Sequence, residues 1–137
     1  MKVCVFLMLN FILVFVACES LPTIPPKEVI AVGPPPNDST GVFPKQFRLN
    51  EPFPNPFDTL TEIRINIPER SIVSVIVQNP LGDIVKVLMS QEINRGVYQL
   101  EWDARNENNE VVKNGVYFIT MQSGSFIEST IVKVFNP

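Results

Sequence analysis

Residues 61–68 read TEIRINIP, which sets Ile63, Ile65 and Ile67 on one side of an extended chain and Glu62, Arg64 and Asn66 on the other. Alternation at period two marks a strand with one face buried and one face wet. Outward from it, SIVSVIVQ (71–78) is β-branched nearly throughout and suits a central strand. It stops at Asn79-Pro80-Leu81-Gly82-Asp83, a strong turn signal, and IVKVLM (84–89) is its partner across that turn. VYQLEW (97–102) alternates again and groups Tyr98, Leu100 and Trp102. GVYFITMQ (115–122) and FIESTIVKVF (126–135) flank Ser123-Gly124-Ser125, whose glycine suits a short hairpin.

A short edge strand around Phe47–Leu49 brings the total to about seven strands, with no stretch of helical periodicity. The fold class expected is therefore all-β, an immunoglobulin-like antiparallel β-sandwich. The chain of 137 residues allows one domain with appendages. Thirteen prolines against six glycines argue against a helical bundle, since proline costs roughly 3 kcal/mol inside a helix. The net charge is −3, and removal of Lys2 would make it more negative, so the chain lacks the basic face that nucleic acid requires.

The first residues, MKVCVFLMLNFILVFVAC (1–18), are almost unbroken in their apolar character from Val3 to Ala17. That length fits the core of a signal peptide and falls short of the roughly 20 residues that span a bilayer. Val14-Phe15-Val16-Ala17-Cys18 resembles a bacterial lipoprotein box, with Phe15 in place of the leucine usual three residues before the cysteine. The resemblance implies that residues 1–17 are a signal peptide and that Cys18 becomes the lipidated N-terminus. It implies an exported protein held to a membrane through that lipid, in the outer membrane on its periplasmic or surface face. Ordinary cleavage near Cys18, giving a secreted protein, is the alternative. Each buried methylene contributes about 0.8 kcal/mol, so several acyl chains make attachment persistent where one does not. Cys4 would leave with the signal, so the mature domain is expected to hold no internal disulfide.

From Cys18 to Gln46 the composition shifts, with Pro22, Pro25, Pro26, Pro34, Pro35, Pro36 and Pro44 among small and polar residues. Such a tract favours polyproline conformations and has little to bury, which marks it as a tether before a domain at 47–137. Fully extended at about 3.1 Å per residue it would reach some 85 Å, against roughly 30 Å as a flexible coil.

Catalysis is tested by elimination. The chain has no histidine, which removes Ser/His/Asp triads, Cys/His pairs and histidine metal sites. No serine sits in an S-x-x-K spacing. Glu101 and Asp103 alternate onto one strand face, where acids are normally solvated. The expectation is a protein that is not an enzyme and takes no cofactor. In EWDARNENNEVVKNGVYF (101–118), Asp103, Asn106, Glu107, Asn108 and Glu110 offer oxygens, but not at the spacing of a calcium loop, and no metal is expected. The structural expectation is that Asp103 and Asn108 satisfy turn backbone while Trp102 and Tyr117 plug the core.

FRLNEPFPNPFDTLTEIRINIP (47–68) resembles the opening of the C-terminal sorting domains of the type IX secretion system, N-x-x-P-N-P-F followed by a strand of the T-x-I-x-Y/N-x-I/L-P kind, with one residue more between Asn50 and Pro54 here. Asn50, Pro54, Asn55, Pro56, Phe57, Thr61, Ile63, Ile65, Ile67 and Pro68 carry the match. Residues 102–118 are similar to the W-D-G-R-D-E-N-G-x-x-V-x-x-G-V-Y-F segment of the related immunoglobulin-like domain of the flagellar hook-capping protein FlgD. Trp102, Asp103, Arg105, Glu107, Asn108, Gly115, Val116, Tyr117 and Phe118 match it. Asp83 departs from an L-G-R turn, Asn109 replaces a turn glycine, and IVKVFNP lacks the lysine-rich finish of sorting domains.

The resemblance implies either a structural or interaction module of the envelope with a protein partner there, or a sorting domain that directs export. A sorting tag follows a cargo, and only the tether lies between Cys18 and Phe47, which favours the module. Loops at one end of a sandwich carry recognition more often than its faces, which selects Asn55, Phe57, Asp103, Arg105, Glu107 and Asn108 as candidate contacts. For Asn55-Pro56-Phe57 the preferred reading is a turn with Phe57 as a core plug.

Overall fold

A computed structural model describes residues 43–137. The signal segment, Cys18 and the tether as far as Val42 lie outside the described residues. Seven strands follow: β1 (Arg48–Leu49), β2 (Thr61–Ile67), β3 (Ser71–Gln78), β4 (Ile84–Ile93), β5 (Gly96–Trp102), β6 (Gly115–Ser123) and β7 (Phe126–Val134). They form two antiparallel sheets, one ordered β1-β2-β5 and the other β4-β3-β6-β7. The expected immunoglobulin-like sandwich is the fold, and its described residues contain no helix.

β2 shows why these segments are strands. Ile63, Ile65 and Ile67 have no solvent exposure while Glu62 and Arg64 are exposed, so the alternation in sequence is an alternation of environment. From the facing sheet, Val73, Val75 and Val77 of β3 with Ile119 and Met121 of β6 meet them, all fully buried. Burying such side chains contributes about 1.5–3 kcal/mol each.

One strand differs from expectation by more than a residue. β4 continues to Ile93 rather than stopping at Met89, because Ser90, Gln91 and Glu92 pair with β3 while their polarity hides the strand in the sequence. β2 and β3, though joined by only Pro68-Glu69-Arg70, lie in different sheets, so the chain crosses the sandwich there. β4 also carries two irregularities, at Leu88 and Val85, which the register with β3 skips.

The topology gives the sandwich a polarity. At one end lie the connections at 68–70, 94–95 and 124–125, and the chain arrives there: Arg95 stands 3.8 Å over the ring of Phe43, and Phe47 stacks on Phe126 at 5.4 Å. At the other end lie the loops at 50–60, 79–83 and 103–114. Trp102, at that end, is wholly buried between Phe57 at 5.4 Å and Tyr117 at 5.3 Å, with tilted and edge-on geometry. These aromatic contacts add about 0.5–1.5 kcal/mol each beyond the area they bury.

Trp102→Ala is expected to lower the unfolding free energy by about 3–5 kcal/mol, whereas truncating the exposed Leu81 changes it by less than about 0.5 kcal/mol. Urea denaturation followed by circular dichroism distinguishes the two.

Candidate functional site: twin asparagine turns at the loop end

The 103–114 loop is organised from Trp102 outward. Trp102 Nε1 donates to the Arg105 carbonyl at 3.0 Å, and Val112 N donates to the Ala104 carbonyl at 2.8 Å. Ala104 is buried and sits at φ 56°, in the left-handed region, where the FlgD-like pattern has glycine. The methyl costs roughly 1 kcal/mol there and recovers part of it by burial. Arg105 Nη1 donates to the Asn109 carbonyl at 2.8 Å, tying the side chain to its own loop. Asp103 reaches the mostly buried ammonium of Lys86 on β4 at 3.5 Å, bridging the two sheets.

The tip is built by Asn106. Its Oδ1 accepts from Asn108 N and Glu110 N, both at 3.0 Å, and its Nδ2 donates to Glu110 Oε2 at 2.9 Å. The backbone closes the same five residues through Asn106 N to Glu110 O and Asn109 N to Asn106 O. Asn109 adopts φ 64°, a region asparagine enters more readily than most residues. The turn-satisfying side chain is therefore Asn106 and not Asn108, and Asp103 serves the sheets rather than the turn. The reason is positional: an acceptor must precede the amides it caps by two and four residues, which only the first asparagine of the run does.

The turn at 79–83 repeats this bond for bond. Asn79 Oδ1 accepts from Leu81 N and Asp83 N, Asn79 Nδ2 donates to Asp83 Oδ2, and Asn79 N bonds Asp83 O. Gly82 N donates to Asn79 O, and Gly82 has φ 88° where Asn109 has 64°. Both turns thus read asparagine, two free positions, a left-handed residue, an acid. The departure at Asp83 is explained by this: it is the acid of the motif.

Between the two turns lies an open cleft of about 360 Å³, lined by both asparagines, Asp83, Ile84, Glu107 and Tyr117 among others. Glu107 closes one flank. Its amide donates to the Val85 carbonyl at 3.2 Å and its carboxylate accepts from Val87 N, so a loop side chain takes the ladder positions that a further strand beside β4 would use. The Tyr117 hydroxyl donates to the Lys113 carbonyl at 2.8 Å, and burial raises its pKa above the ordinary tyrosine value. The acids and amides here are committed to loop and sheet, and among the described residues no group of three or more Cys, Asp or Glu stands ready for a metal.

Asn55 and Phe57 lie across the same end, on β7. Asn55 Nδ2 donates to the Ile131 carbonyl at 2.8 Å and its Oδ1 accepts from Lys133 N at 2.9 Å. Phe57 N then donates to the Lys133 carbonyl at 3.0 Å, while Phe135 N donates to the Phe57 carbonyl. The Asn-Pro-Phe segment thus covers the upper edge of β7, and the Phe57 ring, 3% exposed, packs into the core. Phe57 offers no side-chain surface to a partner. Of the selected residues, Glu107 and Asn108 are exposed and line the cleft, Glu107 being tied to β4 through its carboxylate. Leu81, 87% exposed on the neighbouring turn, is the residue the sequence reading passed over. Its signal was the matching N-x-x-[G/N]-[D/E] spacing at 79–83 and 106–110.

Comparison with known proteins fits this architecture. The family described as the FlgD Ig-like domain matches residues 58–125, from the end of the Asn-Pro-Phe segment to the β6–β7 hairpin. Over these residues the immunoglobulin-like sandwich is similar to the FlgD Ig-like domain. Among solved structures the chain is similar to PorZ, an essential bacterial surface component of the type-IX secretion system of Porphyromonas gingivalis, at 16% identity and a TM-score of 0.43. That alignment covers 67% of this chain and 12% of PorZ, so the chain spans about an eighth of PorZ's length. No curated protein matches the chain.

Asn106→Ala is expected to cost about 1–2 kcal/mol, because two amides lose their acceptor, while Asn106→Asp keeps that acceptor but sets a carboxylate against Glu110 and so recovers only part of the loss. Chemical denaturation of the pair checks this. A second expectation concerns pH. The folded pKa of Tyr117 lies above its unfolded value, so the associated stability is complete below pH 10 and is lost as pH rises through the folded pKa. Tyr117→Phe should remove that part of the alkaline loss in thermal melts taken from pH 8 upward.

Proposed function

We propose that this chain is a non-enzymatic, exported bacterial lipoprotein, anchored through Cys18, whose sandwich serves the cell envelope as a protein-interaction module. The observation that carries this reading is the polarity of the domain. The chain reaches the sandwich at the end marked by Phe43 and Arg95, and the twin turns with their cleft occupy the opposite end. A lipid at Cys18 would therefore hold the cleft end outward from the membrane, on the tether of residues 18–46.

The contact surface in this reading is the cleft, with Ile84 and Asn108 in its lining and the exposed Leu81 on the adjoining 79–83 turn. Its chemistry suits a protein partner: one apolar anchor at each of two positions, ringed by amides already fixed in place. Fixed donors and acceptors lose little entropy on binding. The partner is expected in the envelope, with no nucleic acid involved.

Intact-mass measurement of the mature protein tests the anchoring. The expected result is a chain running from Cys18 to Pro137 with added acyl mass, and Cys18→Ser should move it from the membrane fraction to the soluble fraction. Loss of the segment after the tether would instead favour a type IX sorting domain that is processed during export. Leu81→Asp is expected to abolish capture of the partner while leaving the urea midpoint unchanged, which isolates recognition from folding.

A further inference from the structure

The two outer faces of the sandwich differ in a way that their strand patterns do not require. On the β1-β2-β5 sheet the register turns Arg48, Glu62, Arg64, Asn66, Val97, Gln99 and Glu101 outward, so four of seven positions are charged. On the β4-β3-β6-β7 sheet the register turns sixteen positions outward, and only Glu92 and Lys133 are charged. Half of the sixteen are aliphatic or aromatic. Ile72 is 72% exposed, Ile127 63% and Ile131 49%, with Val87 and Val116 also open around a half-buried Phe118. Ser74, Ser90, Thr120 and Ser129, with Gln78 and Gln122, lie among them, so the face between its two charged corners is uncharged. A sheet face with so little charge and this much exposed aliphatic side chain is suited to contact.

We propose that this face pairs with the same face of a second copy of this chain. Charge placement identifies the occupant. Glu92 stands at the foot of β4 and Lys133 at the head of β7, at diagonally opposite corners of the sheet. A two-fold axis lying in the interface, perpendicular to that diagonal, brings Glu92 of each copy onto Lys133 of the other and seals the apolar middle. A pairing of that kind is isologous and closed, so it stops at two copies. In the single chain Glu92 already meets Arg70 at 2.7 Å, but that pair is open to water and holds Glu92 only weakly. Lys133 has no carboxylate partner among the described residues.

Area sets the strength. Four strands at about 4.8 Å spacing, over the length from Glu92 to Lys133, give about 500 Å² per copy and about 1,000 Å² in total. That reaches the lower bound for a specific interface and falls short of the standard size, so the pairing is weak in dilute solution. Confinement of copies on one membrane would raise their effective concentration and favour it.

The test is cysteine cross-linking in the full chain as expressed. A chain carrying Glu92→Cys and Lys133→Cys together should form a covalent dimer under mild oxidation, because the axis places each new thiol opposite the other kind. Chains with Glu92→Cys alone or Lys133→Cys alone should give no more dimer than the unsubstituted chain. Adding Ile131→Lys to the double variant should reduce the yield at least tenfold, with thermal unfolding unchanged because Ile131 is half exposed. Absence of a covalent dimer in the double variant would overturn the proposal, whether residues 19–42 or another protein then covers the face. Equal cross-linking in the single variants, or persistence of the dimer with Ile131→Lys, would overturn it as well.

Discussion

The burial of one indole determines how the loop end of this sandwich is built. Trp102 stands at the end of β5 with Phe57 and Tyr117 against it, and its single polar atom must be satisfied in a dry site. The Arg105 carbonyl meets that need, which forces the chain to double back immediately after the strand. The doubling back places Ala104 in the left-handed region and draws Val112 against it. With both stems of the loop fixed by the tryptophan, the tip has room for little besides a tight turn. The polar composition of residues 103–110 is therefore a consequence of closing this turn, and the acids and amides are largely structural.

A second constraint is that neither sheet continues around to close on itself. Open strand edges invite pairing with other chains, and edges are commonly covered or interrupted. Here polar side chains perform that task. Asn55 and the following Phe57 backbone occupy the upper edge of β7, Glu128 accepts from the amide of Leu49 lower on the same strand, and Glu107 occupies the upper edge of β4. These contacts hinder addition of a further strand along β7 and at the upper part of β4.

The strands were legible because burial on one face leaves a period-two mark, and Ile63, Ile65 and Ile67 or Tyr98, Leu100 and Trp102 carry it plainly. The end of β4 was not, since Ser90 to Glu92 pair through backbone while their side chains look like a loop. Sheet membership was equally hidden: the three residues between β2 and β3 are as compatible with a hairpin as with a crossing of the sandwich. At the loop end, the role of Phe57 followed from its aromatic character within a turn. The roles of Asn55 and Glu107 did not, because each bonds strands distant in sequence, and local composition carries no record of such partners. The choice between Asn106 and Asn108 turned on one spacing rule, which the parallel sequence at 79–83 would have resolved.

The chain comes in beside Arg95 at one end, while the turn tips face away from the other, and this arrangement has a mechanical consequence. A pull between an anchored N-terminus and a body held at the tips runs along the strand direction. The ladder bonds of β1 against β2 lie across that line, so they are loaded together in shear and cannot be unzipped singly. The two paired positions of β1, Arg48 with Asn66 and Leu49 with Ile65, share that load.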